Sequence, residues 1–267
     1  MQPPLILVTN DDGIRSAGLR AAAEALRPLG DLLIVAPDRQ WSGAGRSMPR
    51  TVSGEVTEAS WSLPDQGYVP AYAIDASPAL CVIHAVMQLA SRRPALVVAG
   101  VNFGENVSTE VTISGTIGAA LEAAAFGIPA LAVSLEMPVE NHLAGDESED
   151  YAAAKAFTRR FAAKLLERPL PFDADVLSIN LPRDAMPQTR WQLTHLSRRR
   201  YFVPLPSSSE ESDRAGYRVM DNPEEAEIGS DIWCLHNAKE VSVTPLSLDL
   251  TSRADFGALD EILRREQ

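Results

Sequence analysis

Four short segments of this chain carry residues able to do chemistry, and three of them follow directly on runs of apolar residues. Asn10-Asp11-Asp12-Gly13 follows Leu5-Ile6-Leu7-Val8-Thr9, and Asp38-Arg39-Gln40-Trp41-Ser42-Gly43 follows Leu32-Leu33-Ile34-Val35-Ala36-Pro37. Gly100-Val101-Asn102-Phe103-Gly104-Glu105-Asn106 follows Ala95-Leu96-Val97-Val98-Ala99, and Ser114-Gly115-Thr116 opens a segment of small residues. Adjacent carboxylates such as Asp11 and Asp12 repel, which raises the cost of ionising both. A divalent cation relieves that repulsion, and an all-oxygen environment suits hard ions such as Mg²⁺, Mn²⁺ or Ca²⁺. Ser42 and Asn102 offer neutral oxygens that could complete such a shell without cancelling its charge. Ser114-Gly115-Thr116 could present helix N-terminal amides and hydroxyls to an anion. Each segment also has a plain structural reading. Asp-Asp-Gly is more often a turn with a helix cap, Ser42 a loop serine, Asn102 a strand-end turn residue, and Ser114 or Thr116 an N-cap. Their arrival at one place is what favours a metal and phosphate site.

That arrival depends on the elements between them. The apolar runs at 5–9, 32–36, 95–99, 129–134 and 175–180 read as strands buried on both faces. Helical patterns over 17–29, 78–89, 115–126 and about 149–167 alternate with them. Such alternation predicts an α/β fold, a Rossmann-like, doubly wound and mostly parallel sheet over residues 1–185. Ligands of an open parallel sheet gather beyond the carboxyl ends of its strands, which is where the segments above begin. Residues 186–267 differ. Stretches at 191–196 and 241–244 have β character, 207–213 is polar and reads as a loop, and 255–265 reads as an amphipathic closing helix. This part is expected to form a β-hairpin-rich extension within the same domain, used in oligomerisation.

Composition narrows the function further. With 267 residues the chain can bury one substantial core. A net charge of −12 argues against docking on a nucleic-acid polymer, which requires a basic surface. It leaves room for a small anionic substrate where a metal supplies the positive charge. Only three lysines accompany a largely arginine basic complement, which we read as a compositional bias. Cys81 and Cys234 have no C-x-x-C spacing, so neither a disulfide framework nor a zinc site is expected. No apolar stretch approaches membrane-spanning length and no signal-like segment stands at the start, so a cytoplasmic location without membrane attachment is expected.

Taken together, Val8-Thr9-Asn10-Asp11-Asp12-Gly13, Ala36-Pro37-Asp38-Arg39 with Ser42-Gly43, Gly100-Val101-Asn102-Phe103-Gly104-Glu105-Asn106 and Ser114-Gly115-Thr116-Ile117-Gly118-Ala119-Ala120 resemble the signature blocks of the SurE (stationary-phase survival protein) family. Val241-Ser242-Val243-Thr244-Pro245-Leu246 resembles its late block. The resemblance implies a metal-dependent phosphatase acting on nucleoside monophosphates, a 5′(3′)-nucleotidase. It implies Asp11, Asp12, Ser42 and Asn102 as ligands of one divalent ion, with Asp11 and Asp12 also carrying the catalysis. Asn10, Gly43, Asn106, Ser114, Gly115 and Thr116 would line the phosphate position. A homodimer or homotetramer built through the C-terminal part is implied as well. The sequence departs from the family pattern at Leu80, where an acid is usual, at Arg46, where a small polar residue is usual, and at the bulky Trp41. These bear on substrate preference and leave every implied ligand in place.

Other readings are weaker. A Rossmann-type nucleotide- or sugar-binding transferase would carry a Gly-x-Gly-x-x-Gly turn where Asp11-Asp12-Gly13 stands. A non-enzymatic nucleotide-binding protein with a structural cation, or a phosphatase for non-nucleotide esters or polyphosphate, would use the same residues. The histidines at 84, 142, 195 and 236 lack a partner at helical spacing, and Arg198-Arg199-Arg200-Tyr201 reads first as a solvated charge run or subunit contact.

Overall fold

The structure is a computed structural model that describes residues 2–63, 67–139, 150–205 and 216–264. The polar segment 207–213 and His142 lie outside the described residues. The strands are β1 (Leu5–Thr9), β2 (Asp31–Pro37), β3 (Val56–Glu58), β4 (Ser62–Leu63), β5 (Gly67–Tyr68), β6 (Ala71–Ile74), β7 (Leu96–Phe103), β8 (Ala130–Leu135), β9 (Val176–Leu181), β10 (Trp191–Leu193), β11 (Phe202–Pro204), β12 (Tyr217–Val219) and β13 (Val241–Leu246). The helices are α1 (Ala17–Leu26), α2 (Pro78–His84), α3 (Gly115–Ala125), α4 (Ala152–Glu167), α5 (Asp231–Trp233) and α6 (Phe256–Arg264).

Nine of these strands form one sheet in the order β10-β13-β9-β8-β7-β1-β2-β6-β3. The chain winds outward through β1, β2 and β6, returns to β7 on the other side of β1, and winds outward again through β8 and β9, with all of these pairs parallel. The strand order therefore reverses between β1 and β7, and a ligand crevice belongs beyond their carboxyl ends. The alternation of the pleat explains the unbroken apolar runs. Ile6 and Val8 face a core that holds Leu19, Leu26, Phe157 and Phe161 of α1 and α4. Leu5 and Leu7 face the opposite core, with Val82 of α2 and Ile117, Ala120 and Ala123 of α3.

The helices keep to their sequence signals with two adjustments. The helical pattern predicted over 17–29 ends at Leu26 and tightens into a 3₁₀ turn at Arg27–Leu29, because Pro28 cannot supply the N–H that the α-helix needs. The pattern over 78–89 is α-helical to His84 and then widens into a π-turn at Ala85–Leu89.

The sheet continues across position 185. β13 runs antiparallel to β9, and β10 pairs parallel with β13, so much of the expected extension joins the central sheet. Among the described residues, the one hairpin of the region is β11–β12. It packs on a small separate cluster of Val107, Tyr201, Ala226, Ile232 and Leu235. α6 is amphipathic as expected, but every residue on it is exposed. No helix among the described residues is long and apolar enough to cross a membrane. Both cysteines are free, buried thiols, and burial pushes both pKa values up, that of Cys234 to about 11.

Candidate active site

The β1 carboxyl end delivers Asn10, Asp11 and Asp12 to the point where the strand order reverses. Asn10 is fully buried and shapes the turn. Its side-chain oxygen accepts from Gly13 N at 3.2 Å, while its amide donates to Gly13 O at 3.2 Å and to Ser16 Oγ at 2.7 Å. Ser16 in turn caps α1 by accepting from Leu19 N. One side chain thus ties the acidic turn to the helix that follows.

Asp11 is buried against the start of α3. The Thr116 hydroxyl donates to its Oδ1 at 2.5 Å, and the backbone amides of Gly115 and Thr116 add hydrogen bonds. The positive end of the helix dipole therefore meets a carboxylate. Gly115 is needed for that approach. A Cβ built there would stand 2.7 Å from both Cβ and Oδ2 of Asp11. Gly118, one turn on, lets the Ser42–Gly45 loop lie against the helix, since its Cβ would fall 2.3 Å from Gly45 O.

Asp12 is held by Gln40 Nε2 and by Phe103 N, each at 3.2 Å. Burial raises the pKa of Asp11, and hydrogen bonds only partly offset it. Burial first, and then the charge of Asp11, push Asp12 well above the usual carboxylate range, against which it has hydrogen bonds alone. Two carboxylates are thus held close together with no basic side chain to neutralise them among the described residues. Asn102 adds a third oxygen. Its amide nitrogen is spent on Gly104 O at 2.7 Å, which turns Oδ1 to within 3.1 Å of the Thr116 hydroxyl. Ser42 sits on the exposed loop after β2, which Trp41 N anchors to Asp11 O at 2.7 Å. A donor set of carboxylate, amide and hydroxyl oxygens fits a hard divalent cation and gives no purchase to a thiophilic one.

A cavity of about 370 Å³ opens beside this set, within the range of small-molecule sites. Asp11, Ser42, Gly43, Asn102, Asn106 and Ser114 line it. Asn10, Asp12, Gly115 and Thr116 are not among its lining residues; they stand behind Asp11 or beside it. Ser114 caps α3 by accepting from Ile117 N at 3.1 Å, so its own O–H remains a donor.

Several residues of the cavity, and two that support its wall from behind, were not anticipated. Asn180, at the end of β9, exchanges hydrogen bonds with the backbone of Asn106, accepting from its N at 2.7 Å and donating to its O at 3.0 Å. Ser134, at the end of β8, accepts from Asn106 Nδ2 at 2.9 Å. Their signal was available, since each is a polar residue inside an apolar strand. Glu105 and Glu110 line the cavity itself, as do Arg200 and, from the β11–β12 hairpin, Phe202, Pro204 and Tyr217. Arg200, read as part of a solvated run, is exposed at the rim and lies 3.8 Å from Glu110. Burial raises the Glu105 carboxyl to about 7. The departures from the family pattern have local causes. Arg46 pairs with the buried Glu122 of α3 at 2.7 Å, and Leu80 packs on the α2–α3 core. The arginine of Arg39 lies over the Trp41 ring at 5.3 Å. Away from the cavity, His236 Nε2 bonds the Tyr201 hydroxyl at 2.9 Å and His84 faces Gln88.

A doubly wound α/β sheet with an oxygen-lined cavity at its switch point, a buried acid pair whose Asp11 reaches the wall and a helix start behind it, defines a class of protein built to handle small anionic ligands. Residues 6–203 match the family model described as "Survival protein SurE", and the chain belongs to the SurE family. It is 42% identical over 259 residues to the "5'-nucleotidase SurE" of Thermococcus gammatolerans, covering 97% of this chain and 95% of that one. A protein of the same name from Archaeoglobus fulgidus is 38% identical over 257 residues, covering 96% and 95%. Among solved structures, the SurE protein of Aquifex aeolicus superposes with a TM-score of 0.73 at 29% identity, over 97% of this chain and 98% of that one.

Proposed function

We propose that this protein is a divalent-metal-dependent phosphomonoesterase that releases phosphate from nucleoside 5′-monophosphates, with 3′-monophosphates as second substrates. The observation that carries the reading is the uncompensated Asp11–Asp12 pair at the sheet's switch point, of which Asp11 lines a cavity together with Asn102. The names of the relatives support the nucleotidase part.

In this reading Asp11, Asp12, Ser42 and Asn102 hold one Mg²⁺, Mn²⁺ or Ca²⁺. Such an ion, when bound, polarises a phosphoryl oxygen and lowers the pKa of water. Gly43, Asn106 and Ser114 contact the phosphate, the last two through side-chain hydrogen-bonding atoms. Asn10, Gly115 and Thr116 position the carboxylates. Asp11 lines the cavity whereas Asp12 does not, which makes Asp11 the carboxylate placed to orient the attacking water and take its proton. Phosphoryl transfer needs mainly positioning and charge stabilisation, and most of this frame is built from strand ends and a helix start.

We propose also that the chain self-associates as a dimer or tetramer through its C-terminal part. Phe256, Leu259, Ile262 and Leu263 of α6 are exposed together, an arrangement that favours burial against another surface. A cytoplasmic location suits a nucleotide substrate and two free thiols.

The test is phosphate release from a panel of nucleoside 5′- and 3′-monophosphates with Mn²⁺ or Mg²⁺, with and without a chelator. Release that the chelator abolishes and added metal restores is the expected result. No chelator-sensitive release from any nucleotide would defeat the reading.

A further inference from the structure

The central sheet carries buried polar residues where its packing calls for none. Ser134 of β8 and Asn180 of β9 stand side by side in the register, and the pleat turns them, with Ser178, to one face. Their neighbours on that face, Ala130, Ala132 and Val176, belong to the apolar core with Ala120 and Ala123 of α3. Ser134, Ser178 and Asn180 are each 1% exposed, and a buried polar group is costly unless it is hydrogen-bonded. An alanine at 134 would serve the sheet as well as those around it. What these side chains do hold is Asn106, on the loop after β7. Asn180 accepts from Asn106 N at 2.7 Å and donates to Asn106 O at 3.0 Å, as one strand does to another. Asn180 Nδ2 also faces Ser178 Oγ at 3.4 Å. Ser134 Oγ accepts from the Asn106 side chain, from Nδ2, at 2.9 Å.

A side-chain amide nitrogen carries two protons. With one spent on Ser134, Asn106 Nδ2 has one left, and Asn106 lines the cavity. We propose that Ser134 and Asn180 are positioning residues for phosphate binding: Ser134 keeps the Asn106 amide turned donor-first to the cavity, and Asn180 fixes the backbone beneath it. The proposal rests on the reading that the cavity takes the phosphate, with Asn106 in contact with it. Ser134 and Asn180 are not among the lining residues, so they act through Asn106 and not on the substrate. Half a turn of the Asn106 amide would present its oxygen to an anion. The bond to Ser134 removes that alternative before substrate arrives, which spares the cost of ordering the side chain on binding. At 180, pairing with both the N–H and the C=O of Asn106 needs an acceptor and a donor in one plane. A side-chain amide has both, and a carboxylate lacks the donor.

The experiment measures kcat and KM for adenosine 5′-monophosphate, inhibition by inorganic phosphate, and Mg²⁺ affinity by calorimetry. The proteins are the wild type, Ser134→Ala, Asn180→Asp, Asn106→Ala and the double variant Ser134→Ala with Asn106→Ala. Ser134→Ala should raise KM and the phosphate inhibition constant about two- to tenfold, the worth of one hydrogen bond, with kcat and Mg²⁺ affinity within about twofold of wild type. Asn180→Asp keeps the shape but turns a carboxylate oxygen to Asn106 O, and should raise both constants about tenfold or more. Ser134→Ala matches the alanines around it, so it decides the matter even where Asn180→Asp fails to fold. In the Asn106→Ala background Ser134→Ala should add nothing, because the amide it orients is gone. A residue that merely supports the fold would cost the same in both backgrounds. Wild-type KM and phosphate inhibition in Ser134→Ala, equal losses in both backgrounds, or a KM change that follows lost Mg²⁺ affinity would each overturn the proposal and leave the phosphatase reading intact. If no ester is hydrolysed at all, the phosphatase reading fails on its own, and calorimetric titration with inorganic phosphate still decides the positioning role. Weaker phosphate binding in Ser134→Ala, with no further loss in the Asn106→Ala background, supports it, and equal binding in wild type and Ser134→Ala overturns it.

Discussion

Replacing Gly115 with alanine separates the stability of this fold from the placement of its acid pair. Alanine is ordinarily the better helix former, by about 0.5–1 kcal/mol over glycine. At this position the added Cβ would lie 2.7 Å from Asp11 Cβ and Oδ2, where 3.4 Å begins ordinary contact. One of the two must yield by roughly 0.7 Å, and the neighbouring atoms are Asp11 itself, clasped by the Thr116 hydroxyl at 2.5 Å. Overpacking of this kind costs about 1–3 kcal/mol, and the gain in helix propensity offsets part of it. The net loss of stability should be about 1 kcal/mol, a few degrees in Tm. A misplacement approaching 1 Å at a reacting group costs on the order of a hundredfold in rate. The variant should therefore stay folded by circular dichroism, melt within a few degrees of the wild type, and release phosphate roughly ten- to a hundredfold more slowly. Wild-type kcat/KM in a folded Gly115→Ala protein would refute the claim that the α3 start fixes Asp11 for catalysis.

Three further outcomes follow from the same geometry. Asp12→Asn should abolish turnover and raise the Tm of the chelated protein at pH 8, because it removes a buried like charge; equal melting of the two chelated proteins would show that the pair is not strained. The Glu105 carboxyl, raised to about 7 from 4.5, binds its proton more tightly in the folded state, so its contribution to stability is full below about pH 4.5 and is lost as the pH rises to about 7. Glu105→Gln should flatten that part of the stability–pH curve, by at most about 3 kcal/mol, and a curve parallel to wild type in urea melts would contradict it. Arg46→Ala strands Glu122 without its partner and should destabilise by about 1–2 kcal/mol, reduced by solvent at the guanidinium; the double variant with Glu122→Gln should recover most of the loss, and no recovery would argue against the pair as its cause.

How much of this was legible in the sequence varied with the signal each element carries. β1, β2, β7, β8 and β9 announce themselves because burial on both faces makes them runs of mainly apolar residues, with most of their few polar residues gathered toward the carboxyl ends. β6 does not: Ala71–Ile74 is four residues between Pro70 and Asp75, too short for a pattern, yet it completes the outward winding that places the switch point. Strand direction is equally silent, and β13 reads as a strand without revealing that it runs antiparallel to β9 and enlarges the central sheet. At the site, the oxygen donors were readable because they cluster at strand ends. The division between Asp11, Ser42 and Asn102 on the cavity wall and Asn10 and Thr116 behind it was not, because residues adjacent in sequence turn opposite ways. Phe202 and Tyr217 were missed altogether, since the 14 positions between them hide the pairing that puts both rings on one face.

The most direct measurement of the central claim is a calorimetric titration of chelator-stripped protein with Mn²⁺, run beside phosphate release from a nucleoside 5′-monophosphate at the same metal concentrations. One ion per chain should bind, activity should rise with its occupancy, and both should be lost in folded Asp11→Asn and Asp12→Asn proteins. Undiminished Mn²⁺ binding and turnover in both variants would place the chemistry elsewhere in the molecule.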